Sequence, residues 1–255
     1  MCRLIKYYKI GEPEKYFLVY DLSFCKTFVD PLNLFSLPDY DKYHLNKKGL
    51  FAEGGSLTLK NLEESYNWGI FPWFAKNSEE IHWYCPRRRY IIFPEKIHVG
   101  HSLRNILNKK RYKVTVNKAF KDVIHNCRFV DGRDDHKYAW LSEEIESLFN
   151  KLHLKGYAKS VEVWEDKEDG TEELVGGFYG FFHKGVFQGE SMFSLRPSAS
   201  QIALVELCKM GNIEGSKIKF IDTQFITQTF KRLGGEYIPY ETYRKIMDSE
   251  DEEIK

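Results

Sequence analysis

Residues 174–193, Leu-Val-Gly-Gly-Phe-Tyr-Gly-Phe-Phe-His-Lys-Gly-Val-Phe-Gln-Gly-Glu-Ser-Met-Phe, decide how this chain folds. The run is apolar, aromatic and β-like, with Lys184-Gly185 as a turn into Val186-Phe187. Gly176, Gly177 and Gly180 weaken a strand through lost packing and backbone entropy. Their crowding predicts a bulge or a close approach of backbone to a ligand. The run ends in one carboxylate, Glu190, among Phe187, Met192 and Phe193. An acid in such surroundings is costly unless something cationic pairs with it. A substrate amine or a neighbouring Arg would serve; an acid in ordinary solvent at the mouth of the hairpin would need neither.

Working outward, residues 160–164 and 174–182 read as strands joined by an acidic turn containing Asp169-Gly170. Upstream, Ser142 followed by Glu143 and Glu144 starts a helix whose stripe is Ile145, Leu148, Phe149 and Leu152, closed by Gly156. Downstream, residues 199–209 are apolar nearly all round and predict a buried helix with Gly211 behind it. Residues 217–221 form the next strand, leading into Asp222-Thr223-Gln224. Side chains two apart in a strand share a face, so this spacing puts a carboxylate and an amide together at the end of the sheet. Such a pair either passes or orients a proton, or simply bonds loop backbone.

The first half of the chain is less regular. Residues 1–48 show no sustained period beyond an apolar run at 17–20. Gly54-Gly55 precede a helix that Thr58 caps, with Leu59, Leu62 and Tyr66 on one face and Gly69 at its end. Ile70-Phe71-Pro72-Trp73-Phe74 is too aromatic and too close to a proline for ordinary strand; it reads as a core plug or a ligand platform. A domain boundary near Pro86 separates residues 1–86 from 87–255. Beyond it come a strand at 90–93, a helix at 102–109 with Leu103, Ile106 and Leu107 inward, and a strand at 112–116. A second helix carries Phe120, Val123, Ile124 and Cys127 at i, i+3, i+4 and i+7. Asp131-Gly-Arg-Asp-Asp lacks the ligand spacing of a calcium loop, and the acidic tail from Asp248 should fray.

Composition limits the functions available. The net charge is +1, so contact with nucleic acid must come from local patches. Two are present: Arg87, Arg88 and Arg89, and a helix with Arg104 that ends in Lys109, Lys110, Arg111 and Lys113. These either meet phosphates or form solvated faces. Cys2, Cys25, Cys85, Cys127 and Cys208 are odd in number and widely spaced, which points to reduced thiols in a cytosol. The N-terminus has no long apolar region, and no stretch approaches the ~20 residues of a membrane span. The eight histidines lack zinc spacing, there is no G-x-S-x-G or Walker loop, and Cys85 near His82 reads as a packed thiol.

Three segments together resemble one family, the leucyl/phenylalanyl-tRNA-protein transferases. They are Gly54-Gly55 with Tyr66 and Gly69-Ile-Phe-Pro-Trp-Phe74; Ser160-Val-Glu-Val-Trp164 with Leu174-Val-Gly-Gly-Phe-Tyr-Gly180; and Gly189-Glu-Ser-Met-Phe193 with Ile221-Asp-Thr-Gln224 and Leu233-Gly234. The resemblance spans about residues 49 to 240 and implies transfer of Leu or Phe from aminoacyl-tRNA to the α-amine of proteins beginning with Arg or Lys, marking them for degradation. It implies an α+β fold: a small N-terminal domain, then an N-acetyltransferase-like (GNAT) domain with a mixed central sheet flanked by helices. No coenzyme A or other cofactor is expected, and the protein should be a cytoplasmic monomer. By the same resemblance Asp222 and Gln224 activate the attacking amine, the carboxylate polarising the amide. Glu190 faces the α-amino group of the aminoacyl moiety, Trp73 and Trp140 hold the terminal adenosine, and Phe178, Phe187, Leu204, Leu207 and Ile221 form the side-chain pocket.

The sequence departs from the family pattern in places. Ser56 stands where the family usually has Asp, Thr227-Gln228-Thr229 replaces a segment carrying Asn and His, and Ala139-Trp140 replaces Thr-Trp. In the pocket, Phe178 stands where Met is common and Leu207 where an aromatic is expected. The competing readings are a catalytically silent module that binds tRNA or protein N-termini, and a coenzyme-A-dependent acetyltransferase.

Overall fold

The computed structural model describes residues 3–6, 17–21, 49–54, 57–74, 81–129 and 141–249. They fall into two compact units that part between Arg87 and Arg88. The first unit is an antiparallel sheet of β1 (Arg3–Lys6), β2 (Phe17–Asp21), β3 (Leu50–Gly54), β4 (Phe71–Phe74) and β5 (Ile81–Tyr84), in the order β1-β2-β3-β5-β4. Its helix α1 (Leu59–Asn67) starts where the Thr58 hydroxyl accepts the Asn61 N–H at 3.1 Å, and it buries Leu62, Ser65 and Tyr66. The aromatic segment expected to be something other than ordinary strand is strand β4. It lies at the edge of the sheet, where proline's missing N–H need not interrupt a ladder on both sides.

The second unit carries the longer chain of elements. In order these are β6 (Arg88–Ile92), α2 (His101–Asn108), β7 (Tyr112–Val116), α3 (Phe120–Phe129), α4 (Glu143–Leu154), β8 (Ala158–Asp166), β9 (Glu172–His183) and β10 (Val186–Ser194). Then follow α5 (Ala199–Met210), β11 (Asn212–Ile213), β12 (Ser216–Lys217), β13 (Phe220–Asp222), α6 (Gln228–Arg232), β14 (Glu236–Pro239) and α7 (Tyr240–Asp248). Seven strands make one mixed sheet in the order β14-β6-β13-β10-β9-β8-β7, in which β10 and β13 are parallel and the other neighbours antiparallel. With its helices the chain is α+β. The single strand expected at 217–221 is divided: β12 closes a small hairpin with β11, and the chain re-enters the large sheet only at Phe220. No helix among the described residues is long and apolar enough to cross a membrane.

Local sequence accounts for most boundaries. Ser142 caps α4 by accepting the Ile145 N–H at 3.3 Å, and Ile145, Leu148, Phe149 and Leu152 are its buried stripe. Lys184 and Gly185 both have positive φ, 50° and 74°, the geometry that lets a two-residue turn follow the twist of β9 and β10. The glycines of β9 lie where other parts of the chain approach closely. A Cβ on Gly176 would collide with Ala199 of α5, and one on Gly180 would collide with the carbonyl of Gln188. A Cβ on Gly177 would meet the Val161 carbonyl at 2.5 Å and Val123 of α3 at 3.4 Å. Adjacent residues of a strand point to opposite faces, so α5 packs on one side of the sheet and α3 on the other. The expected bulge is present beside these glycines, where Val163 of β8 pairs with Gly176 and Trp164 with Leu174, leaving Val175 as the extra residue. A second lies in β10: Gly189 pairs with Gly180 and Ser191 with Tyr179, which leaves Glu190 as the extra residue.

Candidate active site

Parallel strands β10 and β13 run side by side as far as the pair Gln188 and Asp222. Beyond it β10 bulges at Glu190 and β13 ends, so the ladder opens where Glu190, Asp222 and Gln224 lie. Alternation along β13 divides its side chains between the two faces. Ile221 enters a buried apolar cluster with Phe178, Phe187, Leu204 and Leu207. Within it the rings of Phe178 and Phe187 meet edge-on at 5.1 Å between centroids. All five residues carried into the side-chain pocket by resemblance therefore share one packed cluster, on the α5 face of the sheet.

Asp222 faces the other way and is fully buried. The Arg89 Nε donates to its Oδ2 at 3.1 Å, and an Arg89 terminal nitrogen bonds the same oxygen. Arg89 is itself 0 % exposed, with its guanidinium carbon 4.9 Å from the centre of the Tyr243 ring. Burial, reinforced by the Asp222 carboxylate, pushes the Tyr243 phenol well above its ordinary range. The Tyr243 hydroxyl is buried without a hydrogen-bond partner among the described residues. Two charges removed from water in this way each need a partner, and each serves the other. Arg89 is thus withdrawn from the basic patch to which it was assigned: a fully buried guanidinium engaged with Asp222 does not reach a phosphate. Arg87 and Arg88 remain exposed, with Arg88 5.0 Å above the Tyr237 ring.

The expectation that Asp222 and Gln224 share a strand face is also corrected. The strand stops at Asp222, and Gln224 takes a left-handed conformation with φ 62°. Asp222 Oδ1 accepts the backbone N–H of Gln224 at 2.8 Å, so the carboxylate holds the turn and not the side-chain amide. Thr223 fastens the turn to β6, donating from its N–H and its hydroxyl to the Tyr90 carbonyl at 3.0 and 2.8 Å. The Gln224 side chain is directed at the bulge, where Nε2 donates to Glu190 Oε1 at 2.9 Å. Glu190 is partly exposed and accepts from this amide. The sequence reading missed Arg89 as the partner of Asp222, and Tyr243 beneath it. Neither carries a local signal, because Arg89 and Asp222 are 133 residues apart.

The remaining site residues are placed as follows. Trp73, on the edge strand of the first unit, is 39 % exposed and meets Tyr84 edge-on at 6.1 Å. Trp140 and the loop Asp131-Gly-Arg-Asp-Asp lie outside the described residues. Arg104 is exposed and donates to the Val99 carbonyl at 3.0 Å. Lys109 and Lys110 are exposed, and Lys110 lines a pocket together with Glu206. Arg111 is engaged by Glu165, and Lys113 by Glu172 at 2.7 Å, so part of the second basic cluster is already neutralised. Among the described residues no group of three or more His, Cys, Asp or Glu side chains is placed to hold a metal ion.

Comparison with known proteins bears on the same residues. The chain matches the family model described as leucyl/phenylalanyl-tRNA protein transferase over residues 91–248, and that family's N-terminal domain over residues 55–87. It is similar to proteins named leucyl/phenylalanyl-tRNA--protein transferase. The one from Syntrophus aciditrophicus is 40% identical over 199 residues, 78% of this chain and 80% of its own length. That from Hydrogenovibrio crunogenus is 42% identical over 202 residues, covering 79% and 75%. That from Flavobacterium psychrophilum is 38% identical over 201 residues, covering 79% and 91%.

Proposed function

The chain belongs to the leucyl/phenylalanyl-tRNA protein transferase family, and from that premise we propose that it is an aminoacyltransferase. It takes Leu or Phe from aminoacyl-tRNA and joins it to the α-amine of proteins that begin with Arg or Lys. The product is a protein marked for degradation in the cytoplasm, and the enzyme works as a monomer without a cofactor. The observation that carries the reading is the contact of Gln224 with Glu190, 2.9 Å across the gap where β10 and β13 part. It joins an amide and a carboxylate at the end of the sheet, inside the family match. A GNAT-like architecture for the second unit is supported by its mixed sheet, with helices on both faces and one parallel pair at its centre.

The chemistry follows from what each group offers. The Glu190 carboxylate pairs with the ammonium of the aminoacyl group and so fixes the direction of the ester carbonyl. The cluster of Phe178, Phe187, Leu204, Leu207 and Ile221 receives the aminoacyl side chain. With Nε2 committed to Glu190, the carbonyl oxygen of Gln224 is the atom that accepts a hydrogen from the attacking amine. An amide is a poor base, so its contribution is orientation and stabilisation of developing charge more than proton abstraction. The amine nitrogen bonds to the carbonyl carbon, the ester C–O bond breaks, and the proton lost by the amine ends on the ribose oxygen of the departing tRNA. Trp73 and Trp140 grip the unpaired terminal adenosine by stacking, which tolerates any base. Arg87, Arg88, Arg104, Lys109, Lys110, Arg111 and Lys113 meet tRNA phosphates.

One assay tests the reading: the protein, tRNA charged with Leu or Phe, and a peptide beginning with Arg. The expected product is the peptide lengthened by one residue at its N-terminus. Binding of charged tRNA without transfer would make the protein a silent binding module, and acetylation of the peptide from acetyl-coenzyme A would make it an acetyltransferase.

A further inference from the structure

The proposed function leaves a fully buried arginine and a fully buried tyrosine without a task. Arg89 lies on β6 and holds the carboxylate of Asp222, while the ring of Tyr243 on α7 faces the Arg89 guanidinium. Both oxygens of that carboxylate are engaged: Oδ2 by the guanidinium, Oδ1 by the Gln224 N–H at 2.8 Å. A buried carboxylate engaged at both oxygens is committed first to its neighbours. What it controls is the backbone of Gln224, a residue in a left-handed conformation that side chains other than glycine adopt only when their surroundings impose it.

We propose that Arg89 is a positioning residue for aminoacyl transfer: through Asp222 it locks the Gln224 turn and so aims the Gln224 amide at Glu190. This deepens the functional reading above and rests on it. Arg89 touches neither substrate nor reacting atoms. Its guanidinium fixes the Asp222 carboxyl plane, the carboxylate fixes the Gln224 N–H, and the left-handed turn then directs the side chain across to the bulge. Tyr243 closes the pair from below with its ring face, keeping water away from a charge pair that hydration would loosen. In this arrangement the charge on Asp222 serves Arg89, and the acceptor oxygen serves the turn. A neutral, hydrogen-bonded pair in the same place should therefore suffice for turnover.

That last consequence separates an anchor from a proton relay. Asp222→Asn removes the carboxylate charge that Arg89 now holds. The kcat, counted per folded molecule, should fall about 100-fold, the scale of a misplacement near 1 Å, with KM for charged tRNA unchanged. Adding Arg89→Gln to that variant removes the guanidinium charge as well. The introduced Gln carbonyl then accepts from the introduced Asn amide, where the Arg89 Nε now meets Oδ2, and the Asn carbonyl still accepts the Gln224 N–H. The Arg89→Gln/Asp222→Asn protein should recover at least about tenfold in kcat over Asp222→Asn. The side-chain amide signal of Gln224, followed by ¹⁵N NMR, should be displaced in Asp222→Asn and return in the double variant. If the double variant melts and binds charged tRNA like the parent yet stays as slow as Asp222→Asn, the carboxylate acts in the chemistry and the proposal falls. If the parent itself transfers nothing, the functional reading fails instead, and the Gln224 signal alone decides whether Arg89 controls the turn.

Discussion

Leu207→Ala separates the part of the apolar cluster that selects a substrate from the part that merely holds the fold. Leu207 is fully buried on α5, in the cluster with Phe178, Phe187, Leu204 and Ile221. The substitution removes three carbons, worth about 2.4 kcal/mol at ~0.8 per methylene, and such truncations cost about 2–5 kcal/mol in all, depending on how far the cavity collapses. For a chain of this size that corresponds to a fall in Tm of roughly 4–20 °C. If the cluster receives the aminoacyl side chain, the added space should favour Phe over Leu, with about 10- to 200-fold available in the ratio of kcat/KM values. The assay is competition between the two charged tRNAs for one Arg-starting peptide. The control is Leu152→Ala: Leu152 is equally buried but lies on α4, outside that cluster. It should lower Tm comparably and leave the ratio alone. An unchanged ratio in Leu207→Ala, or the same shift in both variants, would refute the placement of the pocket.

Glu190→Gln keeps shape and one acceptor but loses the charge, so it should slow transfer of Leu and Phe alike; a change in their ratio alone, or parent rates for both, would remove Glu190 from the amine site. Replacing Lys109 and Lys110 with Ala should lower the slope of log K against log salt for tRNA by about 2, one unit for each phosphate contact. Arg111→Ala should change it less, because Glu165 already engages that side chain, and a slope unaltered by the lysine pair would leave this helix end a solvated face. Hydrogen bonds from Lys113 and Lys118 hold the Glu172 carboxyl down at about 2, against an ordinary value of 4.5. Its folded pKa is lowered, so its contribution to stability is present above pH 4.5 and lost as pH falls toward 2. Glu172→Gln should therefore melt below the parent at neutral pH and converge with it in acid, the gap shrinking with added salt; a gap independent of pH would sink this account.

The elements legible in the sequence are those whose cause is local. The stripe of α4, its Ser142 cap, and the four buried residues of α3 at i, i+3, i+4 and i+7 need only their own helix to be understood. Strand β4 was not readable, because Pro72 is tolerated only at an edge and edge status is a property of the whole sheet. The glycines of β9 were noticed for their crowding, but what crowds them is Ala199, Val161 and Gln188, fixed by tertiary packing. At the site, Glu190 stood out as an acid among apolar neighbours. The positive φ of Gln224 and the pairing of Asp222 with Arg89 had no such mark. Strand periodicity fails one residue past the end of a strand, and a buried charge finds its partner at any sequence distance.

Glu190 is supernumerary to the sheet. Gly189 with Gly180 and Ser191 with Tyr179 are the pairs a regular ladder would form if that residue were deleted. The scaffold and the chemistry are thus written on separate letters of the same strand. A substitution at position 190 changes what the site can hold without re-registering Met192 or Phe193 against their partners in β9. A lineage built on this sheet can exchange the charge, length or reactivity of the group at the bulge in single steps. At Gly180, where any side chain would meet the Gln188 backbone, it has no such liberty.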